Sequence, residues 1–96
     1  MSTEWTRSTE KHGIERSDAI HAVRNRVTYV RDFDKARDGS DLSADLFIGP
    51  SRDGSIQVEV LAHIDRRNKN MIVFHVMQAR ESTRQRAKRI LAERNG

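Results

Sequence analysis

His75 and Arg80 are the residues of this chain whose side chains are best suited to reaction chemistry. His75 lies inside the apolar stretch 71–79, and Arg80 follows it directly. An imidazole can exchange protons near neutral pH, as RNA cleavage requires when a 2′-hydroxyl loses a proton and a leaving oxygen gains one. A guanidinium can stabilise the charge that develops on the phosphate. The pair therefore indicates metal-independent RNA cleavage, although a lone histidine in an apolar strand is more often a hydrogen-bonded structural residue.

His63 is a second candidate for proton transfer. It follows the alternating stretch 56–62, whose apolar positions predict a strand with one face in the core. Glu59 and His63 fall on the other face of that strand. If this strand is a neighbour of the strand over 71–79, Glu59, His63 and His75 share one face of the sheet.

Further cationic and imidazole side chains are candidates for binding the phosphates of RNA. They are Lys11 and His12 before a glycine, Arg66 and Arg67 in a polar turn, and Arg84 and Lys88 in a basic helix. Arg80 and Arg84 lie four residues apart at a helix start, where they can form a phosphate clamp. The alternatives are solvated turns and helix faces and, for His12, a bond to the last carbonyls of a first helix.

The positive charge of the chain is concentrated at its C-terminal end. The formal net charge is +4, and residues 80–96 contain six basic and two acidic residues. The remaining residues contain twelve of each kind, so the excess lies in one segment. Concentrated positive charge favours an anionic partner such as RNA, although a solvated helix face has the same composition.

Several classes of site are excluded or disfavoured by composition and spacing. There is no cysteine, which excludes disulfides and thiolate metal sites. The four histidines lack metal-ligand spacing, and the aspartates within 32–45 lack the spacing of a calcium loop, so neither a metal nor a cofactor is expected. No apolar run reaches the about 18 residues of a membrane span. We therefore expect a cytoplasmic protein without a membrane partner.

The hydrophobic pattern predicts an α+β fold in a single domain over residues 1–96. The predicted elements are helices over 3–12 and from Ser17, strands over 27–30, 46–49, 56–62 and 71–79, and a C-terminal helix from Ser82. The segment 32–45 between the first two strands is predicted to be a loop. This pattern predicts two N-terminal helices, a four-stranded, largely antiparallel sheet and one C-terminal helix. The connections between the last three strands are short, which predicts that these strands form an antiparallel meander.

Short motifs in a fixed order suggest a family. Over roughly residues 5 to 92 they are Lys11-His12-Gly13-Ile14, a helix with Ala19, Leu46-Phe47-Ile48-Gly49, Gly54, and a strand ending at Ala79-Arg80 with Thr83 after it. Together they resemble the BrnT toxins, bacterial proteins of the RelE/ParE-like group of toxin–antitoxin systems. His75 stands where a strand of that family often has arginine, and Arg86 and Ile90 stand where its last helix often has an acid and then a tyrosine.

The resemblance implies a ribonuclease that halts translation and a RelE/BrnT-like sheet braced by helices. It also implies a co-encoded antitoxin with a DNA-binding region as partner, and it places Lys11, His12 and Arg80 on family motif positions. Two alternatives stay open. The chain can be a binding module that contacts nucleic acid or an acidic protein without catalysis, or an inactive relative of the toxins that serves only in complex formation.

Overall fold

Five strands form one mixed sheet in the computed structural model, which describes residues 2–36 and 40–95. The strands are β1 (Ser2–Trp5), β2 (Thr28–Lys35), β3 (Ser43–Pro50), β4 (Gln57–Asp65) and β5 (Asn70–Gln78); the helices are α1 (Arg16–Arg24) and α2 (Glu81–Asn95), and a 3₁₀ turn covers Arg7–Glu10. In space the strands run β1-β5-β4-β3-β2. β1 is parallel to β5, and all other neighbours are antiparallel.

The antiparallel meander of β3, β4 and β5 confirms the prediction for the last three strands. The turn between β3 and β4 is held by Asp53, whose Oδ1 accepts hydrogen bonds from the Ser55 amide and the Ser51 hydroxyl, both at 2.9 Å. Val58 and Val60 alternate with the polar residues Gln57 and Glu59 along β4 and are fully buried. Local turn chemistry and a period of two thus specify this part of the sheet.

The predicted fold class is wrong at the N-terminus, because the first predicted helix is a strand followed by a short 3₁₀ turn. β1 adds a fifth strand to the sheet and makes it mixed, with Ser2 opposite Asn70 and Trp5 opposite Val73. The pairing is made by backbone groups of residues far apart in sequence, and the polar side chains of this segment give no strand pattern. A helix prediction based on local composition could not detect it.

The predicted loop over 32–45 is also wrong in part, because β2 and β3 extend into it from both sides, through Lys35 and from Ser43. The ladder between them is irregular from Val30 to Asp34, and Asp32 adopts a φ of 50°. The buried carboxylate of Asp45 spans this irregularity by accepting hydrogen bonds from the Tyr29 hydroxyl at 2.7 Å and the Asp32 amide at 2.9 Å. Residues 37–39, part of the predicted loop, lie outside the described residues.

Each helix covers one face of the sheet. α1 packs Ala19 and Ala22 against a core that includes Phe47, Val58, Val60, Ala62, Val73 and Val76. α2 packs Ala87 against a second core of Val30, Phe33, Leu46 and Ile48. Because side chains alternate between the faces of a strand, Glu59 points away from α1 and toward the side of the sheet that carries α2. Over the described ranges, neither α1 nor α2 has the length and apolarity needed to cross a bilayer.

Candidate active site

A groove of about 860 Å³ lies on the α2 side of the sheet, between the 3₁₀ turn, β5 and the first turns of α2. Among the described residues, its charged lining consists of five basic and two acidic side chains: Arg7, Lys11, Lys35, Arg80 and Arg86, with Asp34 and Glu59. His12 and His75 line it as well. We refer to this surface as the basic groove. Its size and its excess of cations suit a phosphate-containing ligand.

Glu59 lies at the floor of the basic groove and is 1% exposed. Its Oε2 accepts hydrogen bonds from His75 Nε2 and Arg80 Nη2, both at 2.9 Å. Its Oε1 accepts from the Arg80 amide at 2.8 Å and from Arg80 Nε at 3.3 Å. These four hydrogen bonds, one from His75 and three from Arg80, hold an imidazole and a guanidinium in fixed positions relative to each other on one buried carboxylate.

The strand register explains why these groups meet. Glu59 lies opposite Met77, and Leu61 lies opposite His75, so His75 is the diagonal neighbour of Glu59 on the same face of the sheet. Arg80 immediately precedes α2, and its amide is one of the donors that an α-helix leaves without an internal partner. The Glu59 carboxylate satisfies that donor and places its negative charge at the positive end of the helix dipole.

Glu59 is ionised at neutral pH. Burial alone raises the pKa of Glu59, but hydrogen bonds from His75, Arg80 and Thr83 outweigh that effect and lower it from 4.5 to about 2. The hydrogen bond to Glu59 in turn raises the pKa of Arg80. Because an ionised carboxylate only accepts hydrogen bonds, Nε2 of His75 must carry a proton. Neutral His75 therefore has its lone pair on Nδ1, which makes no hydrogen bond within residues 2–36 and 40–95.

The pKa of Glu59 predicts a specific loss of stability in acid. A carboxyl group whose pKa is lower in the folded state stabilises the fold above its unfolded value of 4.5, and this contribution is lost as the pH falls toward 2. Between about pH 6 and pH 2, we expect wild type to lose roughly 3 kcal/mol of unfolding free energy more than Glu59→Gln does. Urea unfolding across this range measures the difference, and parallel profiles for the two proteins would contradict it.

A β-bulge in β5 brings the second imidazole to the groove. Ala62 pairs with Val73 and Leu61 with His75, so Phe74 is an extra residue in β5. Its carbonyl accepts a hydrogen bond from the Ser8 hydroxyl at 2.5 Å, which fixes the 3₁₀ turn against the strand. The chain then continues to Lys11 and His12 at the rim of the groove. Bulges often redirect side chains beside functional sites.

The rings of His12 and His75 lie edge to face, with their centroids 5.8 Å apart and their planes at 70°. His12 is exposed, whereas His75 is partly buried beside Glu59. Two imidazoles at this separation can contact different oxygens of one bound phosphate diester. The groove therefore contains two groups able to move protons and, in Arg80 and Lys11, two cations able to bind the phosphate.

Four of the residues selected from the sequence thus line one groove: Lys11, His12, His75 and Arg80. Arg84 and Lys88 lie further along α2 and are half-buried and exposed, respectively. They are not part of the groove lining but can extend its positive surface.

His63, Arg66 and Arg67 lie away from the groove. The Nδ1 atom of His63 lies 2.9 Å from the Ser43 carbonyl oxygen. His63 follows Glu59 by four positions along β4, so the two residues are about 13 Å apart. Arg66 and Arg67 are exposed in the turn between β4 and β5. Antiparallel pairing puts that turn at the end of β5 opposite Arg80, so these arginines do not share an edge with it.

Five charged groove residues are not among the site residues predicted from the sequence: Glu59, Arg7, Asp34, Lys35 and Arg86. Glu59 had a detectable signal, since it is the only acid among apolar residues in the alternating segment 56–62. Arg7 and Arg86 had none, because their positions depend on how the 3₁₀ turn and α2 pack against the sheet. Within residues 2–36 and 40–95, no group of three or more His, Asp or Glu side chains is arranged to hold a metal ion.

Comparisons with protein-family models, with curated proteins and with solved structures each found no match to this chain.

Proposed function

We propose that this chain is a metal-independent endoribonuclease that acts as the toxin of a type II toxin–antitoxin pair. The observation that supports the activity is the arrangement of His12, His75 and Arg80 in one basic groove, two of them held by the buried Glu59. Metal-independent RNA cleavage requires this set of groups: a base, an acid and a cation at the phosphate.

In the proposed reaction, the 2′-hydroxyl of RNA attacks the adjacent phosphorus and the 5′-oxygen leaves. One imidazole takes the proton of the 2′-hydroxyl, and the other gives a proton to the leaving oxygen. His75 exchanges its proton through Nδ1, since Nε2 is bonded to Glu59. Arg80 and Lys11 stabilise the charge on the phosphorus oxygens. The products are a 2′,3′-cyclic phosphate and a 5′-hydroxyl, so atoms and protons balance without a co-reactant.

The biological role rests on the resemblance to the BrnT toxins. A toxin of this kind cleaves RNA in the cytoplasm, halts translation and is neutralised by a cognate antitoxin that also binds DNA. The exposed basic residues of α2 support an anionic partner, since RNA and an acidic segment of an antitoxin are attracted by the same charges. A neighbouring reading frame for a small DNA-binding protein is the simplest genetic observation in favour of this role.

Substitution of Arg80 tests the activity. We expect purified protein to cleave RNA in the presence of a chelator, and Arg80→Ala to lower kcat/KM by on the order of 10²–10³-fold because a phosphate-stabilising cation is lost. Arg89→Ala, an exposed change on α2 outside the groove, is the matched control and should retain activity. Thermal unfolding of both variants shows whether the fold is kept.

The alternative function, a binding module without catalysis, predicts a different result. RNA then stays intact with wild-type protein, while binding weakens steeply as salt increases because only phosphate contacts hold it. Cleavage that is equal in wild type and Arg80→Ala would exclude the proposed role of Arg80.

A further inference from the structure

Arg86 is held over an aromatic ring in the wall of the basic groove. Its Cζ lies 4.3 Å from the ring centroid of Phe33, its Nη2 donates to the Phe33 carbonyl at 2.7 Å, and its Nη1 lies 3.4 Å from Asp34 Oδ2. The side chain nevertheless stays 42% exposed. Arg86 therefore joins α2 to β2 and also presents a planar cation, fixed in position, to a ligand in the groove.

Arg86 is close to the proposed reaction centre along the helix. Buried Thr83 lines the groove together with Glu59, and Arg86 follows Thr83 by three residues, a rise of about 4.5 Å along α2. Residues three apart lie on the same side of a helix. A strand whose phosphate is bound by Arg80 thus has its neighbouring nucleotide within reach of Arg86.

We infer that the basic groove takes single-stranded RNA and that a base next to the reacting phosphate stacks on Arg86. This inference rests on the proposed function and deepens it by naming the substrate class. Proteins recognise unpaired bases by stacking them on aromatic rings or guanidinium planes, which duplex RNA does not allow because its bases already stack on each other. A guanidinium fixed over Phe33 loses little freedom when a base packs on it.

Binding to strands that cannot be cleaved tests the inference separately from the activity. The probe is a short 2′-O-methyl RNA, which lacks the attacking hydroxyl, and the comparison is a base-free strand with the same number of phosphates. We expect wild type to bind the strand with bases about tenfold more tightly. Arg86→Lys keeps the charge but removes the planar surface, and it should bind both strands equally.

Arg89→Lys, at an exposed position of the same helix outside the groove, is the matched control, and it should keep the tenfold preference. Duplex 2′-O-methyl RNA adds a second comparison, since binding by charge alone favours the duplex with its higher charge density, whereas stacking on Arg86 favours the single strand. Three results would each overturn the inference. They are equal binding of the two single strands by wild type, an unchanged preference for the strand with bases in Arg86→Lys, and tighter binding of the duplex than of the single strand. Base-dependent binding without cleavage of unmodified RNA would refute the nuclease and leave Arg86 as a stacking surface.

Discussion

Glu59→Gln is expected to lower kcat/KM for RNA cleavage by on the order of 10³-fold although no group that touches the substrate is removed. The carboxamide has one acceptor oxygen, whereas the carboxylate receives donors on both oxygens. If the amide nitrogen faces His75, the imidazole must shift its proton to Nδ1, which removes the lone pair facing the ligand. If it faces the Arg80 amide instead, the start of α2 is displaced. Either change disrupts the alignment of imidazole and guanidinium.

A steady-state assay at neutral pH with a chelator measures this effect, and binding of 2′-O-methyl RNA should change little because the groove keeps its cations. Glu93→Gln makes the same chemical change at an exposed position of α2 and should behave as wild type. The variant protein must be folded for the comparison, which circular dichroism establishes. A folded Glu59→Gln protein with undiminished cleavage would show that Glu59 serves the fold alone.

The parts of the fold that could be predicted are those specified by neighbouring residues. The alternation of Val58 and Val60 with polar residues, the Asp53-Gly54 turn and the basic C-terminal helix all leave a local pattern in the sequence. β1 leaves none, because its strand conformation depends on the open edge of β5, almost seventy residues away. The aspartates of residues 32–45 predict a loop because aspartates are rare in strands, but residues 32–35 belong to β2, where the buried acid Asp45 holds the irregular ladder together.

In the candidate site too, only the positions set by residues close in sequence could be predicted. His75 and Arg80 are close in sequence, so their placement at one end of β5 could be anticipated, and the structure puts both in the groove. The approach of His12 could not, since it depends on a one-residue bulge at Phe74 and on the Ser8 hydrogen bond to it. Arg66 and Arg67 are candidates by charge alone, although the order of the chain places their turn before the strand over 71–79 and Arg80 after it, at opposite ends of that strand. The catalytic roles are proposals that the substitutions above test.

Gly49→Ala is expected to destabilise the protein by about 3 kcal/mol or more, which corresponds to a fall in Tm of roughly 10–25 °C. A Cβ atom at Gly49 would lie 2.2 Å from the carbonyl oxygen of Ala22 and 2.9 Å from its carbonyl carbon. Both are backbone atoms of α1, so no side chain can rotate away and the helix itself must move off β3. Ala22 is fully buried, and the displacement would open the core between α1 and the sheet. Thermal unfolding measures the effect.

Gly54→Asn is the informative comparison, because Gly54 lies in the β3–β4 turn with a φ of +74° and has open space where a Cβ would stand. Asparagine tolerates that left-handed conformation, so this variant should lose less than about 1 kcal/mol. α1 and the basic groove lie on opposite faces of the sheet. Gly49→Ala should therefore bind 2′-O-methyl RNA as wild type does, at a low temperature at which the variant is still folded. Equal stability of Gly49→Ala and wild type would mean that α1 does not pack on β3 this closely.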